Sequence, residues 1–196
     1  MYAKSTEKRE FILEGAKNVI LKKGYSATSM KDIIEECDIS RGGLYFYFSS
    51  VEEIFKEILN TRERTSGELI DRLIEENNDF SQLLDDYFSY QKERLLHMEK
   101  SLLSSVIEYA FTHKDENAKL MIDDQYQKTK QQIHRVLNAG TDMGALCSDI
   151  MTMTEHILFL IEGLSIKAIT VGISPEKLDA QFRLLKEQLI EEKGVK

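Results

Sequence analysis

The sequence has few of the residues that interrupt helices. It contains a single proline among its 196 residues, while charged residues make up 31% of the chain. Long stretches rich in Leu, Ile, Glu and Lys leave little room for strands and turns. The length suffices for one helical body, or for a small module followed by a larger one. We therefore predict an all-α protein of one or two domains.

Cysteine and long apolar runs are also scarce. Cys37 and Cys147 lie far apart and match no metal-site spacing, so we predict free thiols and neither a metal nor another cofactor. Glutamates interrupt the first apolar residues, which argues against a secretory signal. The most apolar stretch, residues 157–173, contains two charged residues and is shorter than a bilayer-spanning helix. We expect a cytoplasmic protein that does not enter a membrane.

Positive charge is limited, and its distribution is uneven. The net charge is −8, yet the first 50 residues contain eight Lys or Arg and seven Asp or Glu. The remaining residues therefore carry the whole acidic excess. If the protein has a polyanionic partner, the first 50 residues are the part that can face it.

Helical periodicity and capping residues divide the beginning of the chain into short helices. Apolar residues recur at helical spacing from Ser5 to Lys23, and Gly24 follows as a helix stop. Ser29 and Asp32 form the capping-box pattern that starts a second short helix, ending near Cys37.

A tight turn and a third helix come next. Asp38 begins the turn, Ser40 can cap a helix over residues 41–47, and Ser50 with Glu53 predicts another capping box for a fourth helix. Two short helices joined by a tight turn, resting on a first helix, make a helix-turn-helix. A generic helical subdomain would show the same local pattern.

Paired glycines in the third helix favour the DNA-binding interpretation. Gly42 and Gly43 each weaken a helix by about 1 kcal/mol relative to alanine, so helix stability does not explain them. Glycine allows close approach of the backbone to another molecule. Beside them stand Arg41, Tyr45 and Tyr47, which are side chains that contact bases and phosphates.

These residues carry a family resemblance. The runs Gly24–Ile33 and Ile39–Phe48 resemble the DNA-binding signature of the TetR family of bacterial transcription regulators, which here covers about residues 9–55. The resemblance implies a DNA-binding domain at 1–50 and a helical ligand-binding and dimerisation domain at 51–196. The residues expected at the DNA interface are Thr28, Ser29, Ser40, Arg41, Gly42, Gly43, Tyr45, Phe46, Tyr47 and Ser49.

The expected roles follow from the family resemblance together with side-chain chemistry. Arg41 can form a bidentate contact to guanine, Tyr45 and Phe46 can touch bases or a thymine methyl, and Tyr47 with Ser29 can hold phosphates. Packing against the first helix is the alternative for Tyr45 and Phe48, and for Phe48 we prefer it.

Two positions depart from the family pattern. Asp38 occupies a turn position that is often glycine, and aspartate tolerates the left-handed backbone. Ser49, Ser50 and Val51 replace the lysines common after the Tyr-x-Tyr-Phe element. Lower DNA affinity or a weaker salt dependence is expected from this loss of charge.

Beyond residue 60 the resemblance implies architecture only. Ser174 and Pro175 give the last helix a strong start. Arg62–Asn77 is predicted to extend the fourth helix. The further predicted helices are Phe80–Met98, Lys100–Thr112, Glu116–Ala139, Asp149–Val171 and Glu176–Glu192.

In the TetR family the last two helices pair with their copies in a partner. The penultimate helix is apolar around much of its circumference, more than one neighbouring helix would cover, and a dimer or a thick monomeric core would bury the excess. The expected dimer residues are Ile157, Leu160, Ile161, Leu164, Phe182, Leu185 and Leu189.

Aromatic and methionine side chains in the middle helices suit an adaptable cavity for an apolar ligand, although each alone is more often ordinary core. The expected cavity residues, which include three polar ones, are Tyr87, Tyr90, Gln91, Met98, Glu108, Phe111, Met121, Tyr126, His156 and Phe159.

The sequence predicts a homodimeric repressor that binds double-stranded, palindromic operator DNA and is released by a small apolar or amphipathic effector. Two alternatives remain: a helical small-molecule-binding or interaction module without operator binding, and a regulator that needs no ligand. An enzyme is not expected, because there is no histidine pair at metal spacing, no phosphate-binding glycine loop and no nucleophile motif at either cysteine.

Overall fold

The structure, a computed structural model, describes residues 2–144 and 149–191, with side chains for 6–144 and 149–190. Cys147 and the predicted helix end at Glu192 lie outside the described residues. Every regular element within those ranges is helical, and a short 3₁₀ turn at Met98–Lys100 precedes α6. The α-helices are α1 (Tyr2–Lys23), α2 (Met30–Cys37), α3 (Arg41–Tyr45), α4 (Val51–Glu76), α5 (Phe80–Leu96), α6 (Leu103–Thr112), α7 (Glu116–Asp142), α8 (Ile150–Val171) and α9 (Pro175–Glu191).

The predicted all-α fold is confirmed, with small differences at helix ends. Helix α3 ends at Tyr45 and not at Tyr47, because the amide of Tyr47 turns back to the carbonyl of Leu44 at 2.9 Å, a tighter i to i−3 bond. Helix α6 begins at Leu103 and not at Lys100, since Lys100 belongs to the 3₁₀ turn. Within the described residues, no helix is both long and apolar enough to span a membrane.

The chain forms two compact units, and each is built from separate stretches. Unit 1 comprises residues 1–64 and 100–125, and unit 2 comprises 65–99 and 126–196. Helices α4 and α7 therefore contribute residues to both units. The predicted functional boundary after residue 50 stays a prediction, because packing and function need not divide the chain at the same place.

Unit 1 contains the helix-turn-helix. Helix α2 packs on α1, and α3 contacts α2. One continuous core joins these helices to the start of α4 and to α6 and the beginning of α7. Its buried members are Ile12, Ala16, Ile20, Tyr25, Ile33, Cys37, Leu44, Phe48, Ile54, Phe55, Ile58, Leu59, Leu102, Tyr109 and Ala118.

The start and end of α2 follow the local signals in the sequence. The capping box is formed: Ser29 Oγ accepts from the Asp32 amide at 3.3 Å, and the Asp32 carboxylate accepts from the Ser29 amide at 2.9 Å. Hydrogen bonds from Lys23 and Ser29 lower the pKa of Asp32 to about 2. Asp38 ends the helix with φ 46° and ψ 51°, the left-handed conformation that aspartate tolerates.

The cap of α4 differs from the prediction in one detail. Ser50 Oγ accepts from the Glu53 amide at 3.1 Å, as a capping box requires. The Glu53 carboxylate, however, accepts from the amide and the hydroxyl of Ser49, both at 2.7 Å, and not from Ser50. The hydroxyl proton of Ser49 is thus committed to a helix cap.

Unit 2 buries the apolar faces of α5, α8 and α9 together with the second parts of α4 and α7. Helix α5 packs against both α8 and α9, and the rings of Phe88 and Phe182 stack at 5.0 Å with an angle of 5°. Gly140 lies so close to Phe80 that an added Cβ would be 2.5 Å from its ring. Glycine at this position lets α7 approach α5 closely.

Candidate nucleic-acid interface

Helix α3 presents one face to the core of unit 1 and the other to solvent. Leu44 and Phe48 are at most 1% exposed and anchor the inner face, which confirms the preferred interpretation of Phe48. On the outer face Tyr45 is 45% exposed and Phe46 is 78% exposed. Large aromatic side chains left in solvent on so short a helix indicate a binding surface.

The two glycines of α3 differ in their surroundings. An added Cβ at Gly42 would meet nothing within 4 Å, whereas one at Gly43 would lie 3.1 Å from Ser40 Oγ. That hydroxyl caps α3 by accepting from the Gly43 amide at 3.1 Å. Gly42 therefore opens the helix surface to an incoming molecule, while Gly43 also makes room for the cap.

Arg41 is an exposed cation at the start of α3. Lys22, Lys23 and Lys31 each lie within 4 Å of a carboxylate, on Glu36, Asp32 and Glu35 respectively. Among the described residues Arg41 has no such partner, and its guanidinium lies 5.4 Å from the ring centre of Tyr45. An exposed guanidinium without an acidic partner, next to exposed aromatic rings, can form bidentate hydrogen bonds to a base.

Three of the four serine and threonine hydroxyls predicted at this interface already donate within the protein. Thr28 Oγ1 donates to the Gly24 carbonyl at 2.7 Å, and Ser29 Oγ donates to Asp32 Oδ2 at 2.7 Å. Ser49 is likewise bound to Glu53. These side chains shape the ends of the helices, so their contribution to phosphate contacts has to come through their backbone amides or through exchange of a hydrogen bond.

The sequence analysis missed a set of hydrogen bonds from Arg9 that supports the end of α3. Arg9 Nε donates to Glu57 Oε1 at 2.7 Å, and its Nη2 bonds to the second oxygen of the same carboxylate. Its Nη1 donates to the Tyr47 carbonyl at 3.1 Å, and the guanidinium lies 4.3 Å from the ring centre of Phe48. No local pattern could reveal this contact, because Glu57 is 48 residues away in the chain.

Within unit 1, helix α6 is hydrogen-bonded to the loop between α1 and α2 and to the start of α4. The Ser26 amide donates to Glu108 Oε2 at 3.0 Å, and the Tyr109 hydroxyl donates to Glu52 Oε1 at 2.8 Å. Burial and the Glu52 carboxylate raise the pKa of Tyr109. Glu108, which we predicted in a ligand cavity, instead binds the loop between α1 and α2.

The predicted cavity residues are only partly brought together. In unit 2 five lie buried or half-buried, whereas His156 and Phe159 of the same unit are exposed. Phe111 and Met121 belong to unit 1 with Glu108, and Phe111 is 72% exposed. The five gathered in unit 2 are Tyr87, Tyr90, Gln91, Met98 and Tyr126.

The predicted dimer residues point inward instead. Leu160 is half-buried, and the other six are buried in the core of unit 2: Ile157, Ile161, Leu164, Phe182, Leu185 and Leu189. The large apolar residues that α8 and α9 leave in solvent are others, each between 46% and 75% exposed: Met151, Phe159, Ile166, Val171 and Leu184. Helical periodicity correctly identified α8 as an apolar helix, but the residues predicted for the dimer interface lie on its buried face.

Two family models match the chain. The model described as bacterial regulatory proteins of the tetR family matches residues 12–58, which include the whole of α2 and α3. A second model, described as the C-terminal domain of tetracyclin repressor-like proteins, matches residues 83–179.

Individual proteins agree with these matches. The HTH-type transcriptional regulator YfiR of Bacillus subtilis is 30% identical over 156 residues, which is 78% of this chain and 76% of its own. A TetR-family transcriptional regulator from Agrobacterium tumefaciens has a similar structure, with a TM-score of 0.76 and 17% identity over 94% of this chain and 98% of its own. The regulator FadR from Bacillus subtilis, in complex with stearoyl-CoA, has a TM-score of 0.72 and 17% identity over 95% of this chain and 99% of its own.

Proposed function

Because the chain belongs to the TetR family of bacterial transcription regulators, we propose that it is a homodimeric repressor that leaves a palindromic operator when a small apolar or amphipathic molecule binds. Membership makes it a DNA-binding transcriptional regulator and not an enzyme. The outer face of α3 is the observation that carries the proposal: it has an open glycine, exposed aromatic rings and an arginine without an acidic partner among the described residues. Its DNA partner would place it in the bacterial cytoplasm.

Substitution of Arg41 by alanine tests the DNA-binding role. We expect specific operator affinity to fall by about 1 to 3 kcal/mol, roughly 5- to 150-fold, with relaxed preference at one base pair, as for a lost bidentate base contact. Fluorescence anisotropy with a palindromic duplex taken from DNA upstream of the gene, and with single-base variants of it, measures both effects. An equal loss on all sequences would make Arg41 a phosphate contact. If the unaltered protein did not prefer any such duplex to scrambled DNA, the interaction-module alternative would lead.

The dimer is proposed to form through the outer faces of α8 and α9. Phe159, Gly163 and Ile166 follow one another at helical spacing and make a stripe along α8. An added Cβ at Gly163 would meet nothing within 4 Å, so a second helix can approach closely between the two apolar side chains. Leu184 supplies an exposed apolar side chain on α9.

The effector is proposed to bind among the predicted residues that unit 2 gathers. Tyr87 and Gln91 are at most 5% exposed on one face of α5, where Arg94 donates to Gln91 Oε1 at 2.9 Å. The Tyr90 hydroxyl lies 3.1 Å from that of Ser66. Aromatic rings with polar groups beside them suit an amphipathic ligand, and stearoyl-CoA in the similar FadR structure is a ligand of that class.

Effector and operator should bind antagonistically. Helices α4 and α7 each contribute residues to both units, and α6 is hydrogen-bonded to the α1–α2 loop and to the start of α4. We infer that a ligand in unit 2 alters the separation of the two α3 helices in a dimer. Half-sites lie roughly 34 to 36 Å apart, and a shift of a few ångströms would misplace one α3.

Linkage requires this antagonism to be reciprocal. With stearoyl-CoA as the first probe, calorimetry with and without operator DNA should give ligand affinities that differ by about 5- to 150-fold. DNA binding measured with and without the ligand should change by the same factor. A ligand that binds equally well in both titrations would not be an inducer, and failure of every bound ligand to affect DNA binding would favour a ligand-independent regulator.

A further inference from the structure

Arg9 joins three separate elements around the end of α3. Its carboxylate partner Glu57 lies on α4, its carbonyl partner Tyr47 follows α3, and Arg9 itself lies on α1. A guanidinium offers donors in a rigid planar fork, so two bonds to a carboxylate and one to a carbonyl fix the relative positions of all three groups. A lysine ammonium, which is a point charge on a flexible stem, cannot reproduce this geometry.

The end of α3 needs such an external support. The helix has only five residues, so it has few hydrogen bonds of its own to hold its direction. Leu44 and Phe48 fix its inner face by packing, and the guanidinium covers the ring of Phe48. The exposed Phe46 lies immediately before the carbonyl that Arg9 holds. The contact thus supports the part of the chain that carries the outer aromatic side chains.

We propose that Arg9 is a positioning residue for sequence-specific DNA binding: it holds the end of α3 in register with α1 and α4, and it acts through Glu57 and Tyr47 without contacting DNA. The inference rests on the DNA-binding role of α3. Arg9 and Glu57 have side chains that are 35% and 30% exposed, and the charge of each is offset by the other. This pairing separates Arg9 from Arg41, which has no acidic partner among the described residues.

The direction in which one substitution changes operator affinity distinguishes a positioning role of Arg9 from a phosphate contact. Glu57→Gln removes a negative charge and weakens the hold on Arg9. If Arg9 positions α3, this variant should bind the operator about tenfold more weakly even though the protein becomes less acidic. If Arg9 binds phosphate, Glu57→Gln should release it and raise affinity for every DNA sequence.

The experiment compares Arg9→Met, Arg9→Lys, Glu57→Gln and the Arg9→Met/Glu57→Gln double variant by fluorescence anisotropy at several salt concentrations. The duplexes are the palindrome from upstream DNA and a scrambled sequence of equal composition. We expect about a tenfold loss of operator affinity in each single variant, little change on scrambled DNA, an unchanged salt slope, and a double variant no weaker than either single one. Lys17→Met is the matched control, because it removes the same charge from an exposed pair with Glu14 on α1.

Three results would overturn the proposal. A salt slope reduced by about 0.9 in Arg9→Met, together with tighter binding by Glu57→Gln, would make Arg9 a phosphate contact. Equal losses on operator and scrambled DNA, with lower melting temperatures, would mean that the pair only stabilises the fold. Unchanged operator affinity in all variants would show that α3 needs no such support. The affinity of the unaltered protein for the operator and the scrambled duplex is measured before any variant is compared. If it did not prefer the operator, the proposed function itself would be contradicted.

Discussion

Replacing Gly42 with leucine should reduce operator binding to the level of scrambled DNA while the protein stays folded. The added side chain would project from α3 into space that is empty within 4 Å of its Cβ, which is the space that a DNA groove would occupy. Specific binding is typically about 10³- to 10⁷-fold tighter than non-specific binding, and a recognition helix held away from the bases loses that difference. Anisotropy with both duplexes measures the effect.

The stability of the Gly42→Leu variant should rise or stay the same, although its operator affinity falls. Glycine within a helix costs about 0.5 to 1 kcal/mol relative to alanine, so leucine at residue 42 should leave the melting temperature equal or higher. Gly43→Ala is the contrasting variant, since its methyl group would lie 3.1 Å from Ser40 Oγ and disturb the cap of α3. A leucine variant at residue 42 that still distinguishes operator from scrambled DNA would show that this face of α3 points away from DNA.

Replacing Ile166 with glutamate should convert the proposed dimer to a monomer and lower operator affinity by about 10²- to 10⁴-fold. A carboxylate at this position would be buried opposite its own copy, or close to it, in a two-fold interface, where burial of an unpaired charge is strongly unfavourable. The affinity falls because the two DNA-binding domains of a dimer are linked: once one is bound, the other has a high effective concentration at its half-site, which separate protomers lack. Sedimentation equilibrium reports the oligomeric state, and anisotropy reports DNA binding.

Val171→Glu is the matched control on the same helix. Val171 is 75% exposed, more than Ile166 at 46%, but it lies about 140° around the helix from Ile166 and so points away from the stripe that contains Phe159. The control should stay dimeric and retain operator affinity. A monomeric control with a dimeric Ile166 variant would move the interface to another face of α8, and two dimeric variants would place it elsewhere in the protein.

Several charged and hydroxyl groups near α3 are already bound within the protein, and this affects the DNA affinity that we expect. Lys22, Lys23 and Lys31 pair with carboxylates, and the Ser49 hydroxyl is bound to Glu53 of α4. Phosphate contacts with few free cations give a shallow dependence of affinity on salt. Base contacts and correct placement of α3 then account for a larger share of the binding energy, which increases the expected effects at Gly42 and Arg41.

The short helices before residue 50 could be predicted because their signals are local. A capping residue and its partner are three positions apart, as with Ser29 and Asp32, and the backbone of Asp38 is set by its own side chain and its neighbours. Phe48 is buried, as the sequence analysis preferred, and Tyr45 and Phe46 are exposed, as residues that contact DNA would have to be. The family signature lies within the same residues.

The tertiary structure decided which distant residues meet and which side of an apolar helix is covered. Arg9 and Glu57 are 48 residues apart, and Glu108 and Ser26 are 82 apart, so no sequence pattern within a helical turn relates them. On α8 apolar residues occur on more than one side, and periodicity alone could not separate the buried Ile157 from the exposed Phe159. The physical reason is the same in both cases: hydrogen-bond partners and burial depend on how helices pack in space, whereas a sequence determines directly only what neighbouring residues do to each other.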